Sequence, residues 1–531
     1  MTTEENKSNS DRGNRSSALL RAASKVGGWT MLSRILGFIR DIFLARVLGA
    51  GPLADAFFVA FKLPNFFRRM FAEGTLTVAL VPVLSDERQK SEEGAHAFLN
   101  AMATLLLLVL TLFTLLGMLL MPWLLYLFAP GFADEPDRWN MALELARLMF
   151  PYLAMISLAA MAWAVLNTHK QFAVPAASPA LLNVAIIFAA VVLAPSFDNP
   201  AVALAIGVLL GGFLQLAIQF PALKRIGWVP RISFHFRQDA IAETMRLFGP
   251  AVLAIAAVQI NILVGTILAT MLESGAVSYL YYSDRIVQLP FALFGIAMGT
   301  ALLPTLSGHL SRGDHAAAGD DLRSGFAWLT WLVLPSVVGI IYLAEPIIVT
   351  LFERGAFTHT DSIATAATLQ AYAVGLIAFC WARLFASACY AGKDARAPMR
   401  YAAISVAVNI ILAVIFMQFW AYVGLALATS LASFVNVGLL YLRLSKHYGT
   451  LFNTDTLRRL STAAIATLLM FFFLYGFDHL IWSFPAAGDM ARFAWMGASV
   501  AGGIAVFSVS ALIMGERELL LRFLKRKKRA S

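Results

Sequence analysis

Apolar runs of about 20 residues recur from one end of this chain to the other. Each is long enough to cross a hydrocarbon layer about 30 Å thick. Only 14% of the 531 residues are charged and 60% are hydrophobic, whereas a soluble domain carries roughly 25% charged residues. Too little polar surface remains to cover a water-soluble core. The chain therefore reads as an all-α polytopic membrane protein. The same balance excludes a secreted disulfide scaffold, a nucleic-acid-binding domain and a disordered chain. The net charge of +10 then reports topology and site chemistry, with no nucleic acid as partner. Cys380 and Cys389 sit nine residues apart in one apolar segment. That is half a turn out of phase on a helix, so they cannot pair with each other.

Apolar runs between charged or Pro/Gly-rich breaks give fourteen segments: 26–48, 53–84, 98–128, 140–167, 178–196, 199–224, 241–271, 275–310, 324–351, 361–391, 397–418, 421–446, 460–481 and 490–516. The polar stretch 1–25 lacks the apolar core of a signal peptide, so it is expected to remain as an N-terminal tail. With that tail in the cytoplasm, it, the even-numbered connections and the basic tail 517–531 hold about 28 of the 41 Lys and Arg. The opposite side has little beyond Arg138 and Arg354. The positive-inside rule then predicts that both termini are cytoplasmic.

The first six segments and the next six look like copies. Ala79–Ser85 (ALVPVLS) matches Ala301–Ser307 (ALLPTLS), Leu63-Pro64 matches Leu289-Pro290, and Lys170 and Pro175 match Lys393 and Pro398. These and two further matches fall in order at nearly constant offset, which chance does not readily produce. Six is even, so the second copy crosses with the same orientation, giving two parallel six-helix repeats. The expected organisation is an N-lobe over 26–224, a C-lobe over 241–446, and two C-terminal helices over 460–516 outside the repeat.

A charge in a span costs at least about 2.5–3.5 kcal/mol and must face protein or a watery cavity, or snorkel. Segment one carries Arg34, Arg40, Asp41 and Arg46; segment two carries Asp55, Lys62, Arg68, Arg69 and Glu73. Arg34 and Asp41 share a helical face, and Asp55, Lys62, Arg69 and Glu73 form one stripe. Segment eight carries Asp284 and Arg285, and segment ten Arg383. Any one of these could snorkel or neutralise a neighbour, as Asp41 and Asp55 would beside arginines. The set shows an excess of cations, which suits an anion, and arginine's planar fork suits phosphate or carboxylate. The histidines show no metal-ligand spacing, and no nucleotide-binding or nucleophile motif appears, so neither a metal nor a cofactor is expected.

SRILGFIRD (Ser33–Asp41), followed by DAFFVAFKLPNFFRRMFAEG (Asp55–Gly74), resembles the MurJ/MviN family of lipid II flippases. That family lies within the multidrug/oligosaccharidyl-lipid/polysaccharide exporter superfamily. APGFAD (Ala129–Asp134), FPYL (Phe150–Leu153), YYSDR (Tyr281–Arg285) and LLPTLS (Leu302–Ser307) support the resemblance, which spans essentially the whole chain. It implies fourteen transmembrane helices, a cationic cavity worked by alternating access, and a C-terminal helix pair that holds the polyprenyl tail, with Phe471, Phe472, Phe473 and Leu474 as candidate contributors. It implies substrate contact by Arg34, Arg40, Arg68 and Arg285, with Asp55 as a nearby functional acid. Asp41, Lys62, Arg69, Glu73, Asp284 and Arg383 are accessory candidates. The implied partners are lipid II, bilayer lipids and the cell-wall synthesis machinery, at the bacterial inner membrane. Some relatives place a sodium-binding acid in segment seven, where this chain has Gly265. Dependence on membrane potential, without a sodium site, is the expectation. A multidrug or other polyprenyl-diphosphate-oligosaccharide exporter of the same superfamily is the alternative. A membrane enzyme acting on polyprenyl diphosphates would need clustered acids or histidines at one membrane face, and none is found.

Overall fold

Each of the fourteen apolar segments lies on helix in the computed structural model, which describes residues 26–71, 74–236, 239–486 and 488–516. The two tails and Glu73 lie outside the described residues. Ten helical runs among the described residues are long and apolar enough to cross a membrane. Segments one and two are not among them, because their charges dilute the apolar run. Segment seven contributes only the shorter apolar stretch Gln259–Thr270.

The chain parts into two compact units at the Gly275/Ala276 bond. In the first unit, α1 (26–48) leads to α2 (Pro52–Phe71) and α3 (Thr75–Lys90). Segment two is thus two helices rather than one. Gly74, at φ 86°, adopts a left-handed conformation that a side chain would strain. Then come α4 (Glu92–Leu119), α5 (Met121–Phe128), α6 (Pro136–Met149), α7 (Tyr152–Thr168), α8 (Ala173–Phe188), α9 (Pro200–Ala217), α10 (Gln219–Arg225) and α11 (Asp239–Thr270). Repeat arithmetic groups α11 with the later helices, yet it packs along α2 and α3 of the first unit.

The second unit runs α12 (Ala276–Pro290), α13 (Ala297–Ser311), α14 (His315–Tyr342), α15 (Ala344–Phe352), α16 (His359–Ala391), α17 (Arg396–Tyr448), α18 (Thr454–Gly476) and α19 (Asp489–Ile513). Segments eleven and twelve are merged in α17, broken at Trp420 and Ala421, where φ is 44° at Ala421.

The internal repeat is written into the backbone. Lys170 and Lys393, matched in sequence, are both left-handed, at φ 59° and 60°. A lysine there is strained by the clash of its Cβ with the backbone. Leu120 breaks α4 from α5 and Leu343 breaks α14 from α15, with nearly the same dihedral angles. Pro82 and Pro304, partners in the same alignment, lie inside α3 and α13.

The helix pair outside the repeat packs on α14. Met470, Leu474, Trp495 and Phe507 form a buried cluster with Trp331. Phe473 lies so close to Gly502 that a Cβ there would stand 2.5 Å from its ring. Of the four residues expected at a tail groove, Leu474 and Phe473 therefore pack inward, Phe471 stacks edge-on to Tyr342, and Phe472 is exposed.

A polar clasp fastens this pair at the turn between α15 and α16. Glu353 accepts from Arg492 (3.3 Å) and Ser362 (2.9 Å) and meets the His359 ring nitrogen at 2.9 Å. Burial alone would push the Glu353 carboxyl up, but the hydrogen bonds from His359 and Ser362 and the charge of Arg492 together hold it below its usual 4.5. A depressed carboxyl adds stability above its unfolded value, and that stability disappears as pH falls through the folded value. Thermal melts taken from pH 6 down to about pH 3 should therefore fall more steeply for the native chain than for Glu353→Gln. Parallel slopes would remove the clasp from the acid response.

Candidate anion-binding site

Burial cost says that each charged side chain in α1 and α2 needs a partner or water, and the first unit supplies both kinds of environment. Arg34 is exposed and edges an open cleft of 460 Å³, walled by Val26, Thr30, Phe172, Pro175 and Pro179. Arg40, under two turns further along α1, is buried. Its Nε and Nη2 donate to Asp41 Oδ1 at 3.0 and 2.7 Å, and its Nη1 donates to Asn183 Oδ1 at 3.0 Å. Asn183 in turn donates to the Ser33 carbonyl, tying α8 to α1. The shared face of Arg34 and Asp41 is thus divided, Arg34 towards open space and Asp41 into an ion pair.

The stripe on α2 points at α11. Asp55 is fully buried, and its Oδ2 accepts from Arg138 Nη2 at 2.5 Å and from the Gly275 amide at 2.7 Å. Two turns on, Lys62 donates to Thr266 Oγ1 at 3.2 Å. The seven-residue spacing read from the sequence puts both charges on one inward face of α2, where Lys62 reaches the seventh segment and Asp55 reaches Arg138 of α6 and the Gly275 amide just beyond α11. Two further turns along, Arg69 is exposed. Arg68 is half-buried and donates from Nε to Asn65 Oδ1 at 3.0 Å. Pro64 interrupts the helix ladder just before Asn65, whose side chain donates to the Phe61 carbonyl.

Arg138 carries no weight in the sequence reading, which places it in a connection on the far side. Here it is 1% exposed, lies 4.1 Å over the Phe132 ring and also pairs with Glu135. The signal available was indirect: an acid as deep as Asp55 requires a cation. Arginines nearby in the sequence are the expected source of it, whereas the partner lies 83 residues away. Asn183, the second partner of Arg40, is likewise absent from the sequence reading.

In the second unit, Arg285 is half-buried, donates from Nη2 to the Tyr281 hydroxyl at 3.1 Å and lies 4.7 Å over that ring. Asp284 accepts from Gln288 one turn on. Arg383 is exposed on α16, with its stem over Gly299. The Tyr281 face offsets part of the Arg285 charge.

The model of the lipid II flippase MurJ family matches residues 44–490. The chain belongs to the MurJ lipid II flippase family. A probable lipid II flippase MurJ of Vibrio cholerae is 38% identical over 434 residues, 80% of this chain and 83% of that protein. A probable lipid II flippase MurJ of Rhizobium meliloti is 36% identical over 515 residues, 94% and 95% of the two chains. Among solved structures, a lipid II flippase MurJ in an inward closed conformation superposes with TM-score 0.78 at 27% identity, covering 93% of this chain and 99% of that one. The MurJ match runs through both units and includes Asp55, Arg68 and Arg285; Arg34 and Arg40 precede the matched range.

Proposed function

We infer that this protein is a transporter that flips lipid II, the lipid-linked peptidoglycan precursor, across the bacterial inner membrane by alternating access. The carrying observation is the near end-to-end likeness to proteins named for that activity, at 36% identity over 94% of the chain. The headgroup of lipid II cannot cross hydrocarbon unaided, and its diphosphate is the strongest anion it carries. Arg34, Arg68 and Arg285 are assigned as its cations, with Arg40 behind them and Asp55 as the nearby acid. Arg34 is poised for this in the open cleft. Arg40 and Asp55 work one step back, as the ion pairs that shape α1 and α2. Asp41, Lys62, Arg69, Glu73, Asp284 and Arg383 remain accessory in this proposal. A switch needs a ligand with different affinity for two states; anion binding supplies it by relieving repulsion among the arginines. The α18–α19 pair is assigned to guiding the polyprenyl tail, and the cell-wall synthesis machinery is the proposed partner that uses the product.

The basic tails favour cytoplasmic termini. A sodium site at segment seven is disfavoured, because Lys62 places an ammonium on Thr266, the residue after Gly265. A membrane potential, negative inside, would drive outward movement of net negative charge. The test is replacement of the native flippase by this gene in a bacterium depleted of it. Growth with a normal wall is the expected result. Lysis despite full expression in the membrane would overturn the reading.

A further inference from the structure

Between α10 and α11 the chain leaves helix and runs extended along the side of α4. It is not loosely attached. Asn100 Oδ1 accepts from both the Trp228 indole (3.1 Å) and the Arg231 amide (3.0 Å), and Thr104 Oγ1 accepts from the Ser233 amide at 2.9 Å. Trp228 is buried in the core beneath α10. The outer side of the same segment is apolar and bare: Val229 is 50%, Ile232 74% and Phe234 68% exposed. Phe234 and Phe236 meet edge to face. Lys224, Arg225 and Arg231 are exposed around them.

Helix α4 gives the depth of this segment. From residue 101 to its end at Leu119 it carries no charge, a length of about 28 Å and so close to one hydrocarbon thickness. Asn100 therefore marks one hydrocarbon boundary, and Thr104 lies one turn inside it. Leu107, Leu108 and Leu112, further along, are exposed as lipid-facing residues would be. Ile232 and Phe234 flank Ser233, at the level of Thr104. Large apolar side chains at this depth, rimmed by cations, match a surface that is apolar within and anionic at its rim.

We propose that residues 224–236 form an interfacial anchor, with Ile232 and Phe234 inserted at the acyl boundary and Lys224, Arg225 and Arg231 holding anionic phospholipid headgroups. The partner is the lipid surface itself, and on the positive-inside reading its leaflet is the cytoplasmic one. The anchor would fix the connection between α10 and α11 against the bilayer.

The full chain is reconstituted in vesicles with an environment-sensitive dye on Phe234→Cys, the native Cys380 and Cys389 being buried. Lipids brominated near the headgroup should quench it about threefold more than the same dye on Ala316→Cys, an exposed position in the first turn of α14. Equal quenching at both positions would place the segment in water and overturn the proposal. Should Phe234→Cys fail to fold, Ile232→Cys carries the same comparison. The headgroup half is read separately, as the shift in melting temperature when phosphatidylglycerol replaces phosphatidylcholine in nanodiscs. Lys224→Gln/Arg225→Gln/Arg231→Gln should lose about half of that shift or more. A triple variant with the full shift would overturn the assignment of those cations. Neither readout involves flipping, so both stand or fall apart from the transport reading.

Discussion

Replacing Arg138 by methionine is expected to destabilise the protein by about 3–5 kcal/mol, since it strands a buried carboxylate without its cation. Asp55 is fully buried; it would lose the Arg138 guanidinium and keep the Gly275 amide. The loss should spread to α11, because Gly131 packs against the end of that helix. A Cβ on Gly131 would lie 2.2 Å from the Thr270 carbonyl oxygen, so the segment bearing Phe132 and Arg138 has no slack there. Adding Asp55→Asn to the methionine variant removes the stranded charge and should recover a large part of the stability. That recovery distinguishes a buried charge from lost packing. Unfolding of the single and double variants in detergent measures both. A single variant within about 1 kcal/mol of the native chain would show that water or another cation reaches Asp55.

The same pair shows where a sequence stops being legible. Helices and their order could be read because a span announces itself locally: each of the fourteen apolar segments falls on helix. The repeat could be read because matched residues sit at nearly constant spacing, and Lys170 and Lys393 then share a strained backbone conformation. The stripe on α2 could be read because seven residues make two turns, and Asp55 and Lys62 both point into the protein, Asp55 to Arg138 and Gly275 and Lys62 to Thr266. The partners could not. Asp55 lies 83 residues from Arg138 and Arg40 lies 143 from Asn183. Burial cost states only that a partner must exist. Local pattern also hides the break after α2, where the charged stretch reads as one segment until Gly74 takes a positive φ. The inward turn of Phe473 and Leu474 was hidden too, since α18 is apolar nearly all round and lipid-facing and core-facing phenylalanines look alike.

Arg34→Ala is expected to abolish most transport while leaving the melting temperature nearly unchanged. Arg34 is exposed at the edge of the 460 Å³ cleft, so its removal strands no buried partner. A charge-assisted contact to phosphate is worth about 1.5–3 kcal/mol, or roughly 10- to 150-fold in affinity. Arg68→Ala and Arg285→Ala should lose similar amounts, moderated at Arg285 by a guanidinium that already rests on Tyr281. Arg34→Lys keeps the charge but not the two-pronged geometry, and should recover only part of the rate. Arg40→Ala should behave differently. It leaves Asp41, 2% exposed, without the guanidinium that pairs with it, so stability and transport should fall together. Flipping of a fluorescent lipid II analogue in vesicles, measured beside thermal unfolding of the same preparations, separates the two kinds of arginine. Fully active Arg34→Ala and Arg68→Ala proteins would remove these side chains from the anion's path. A stable but inactive Arg40→Ala protein would move Arg40 from the scaffold to the substrate.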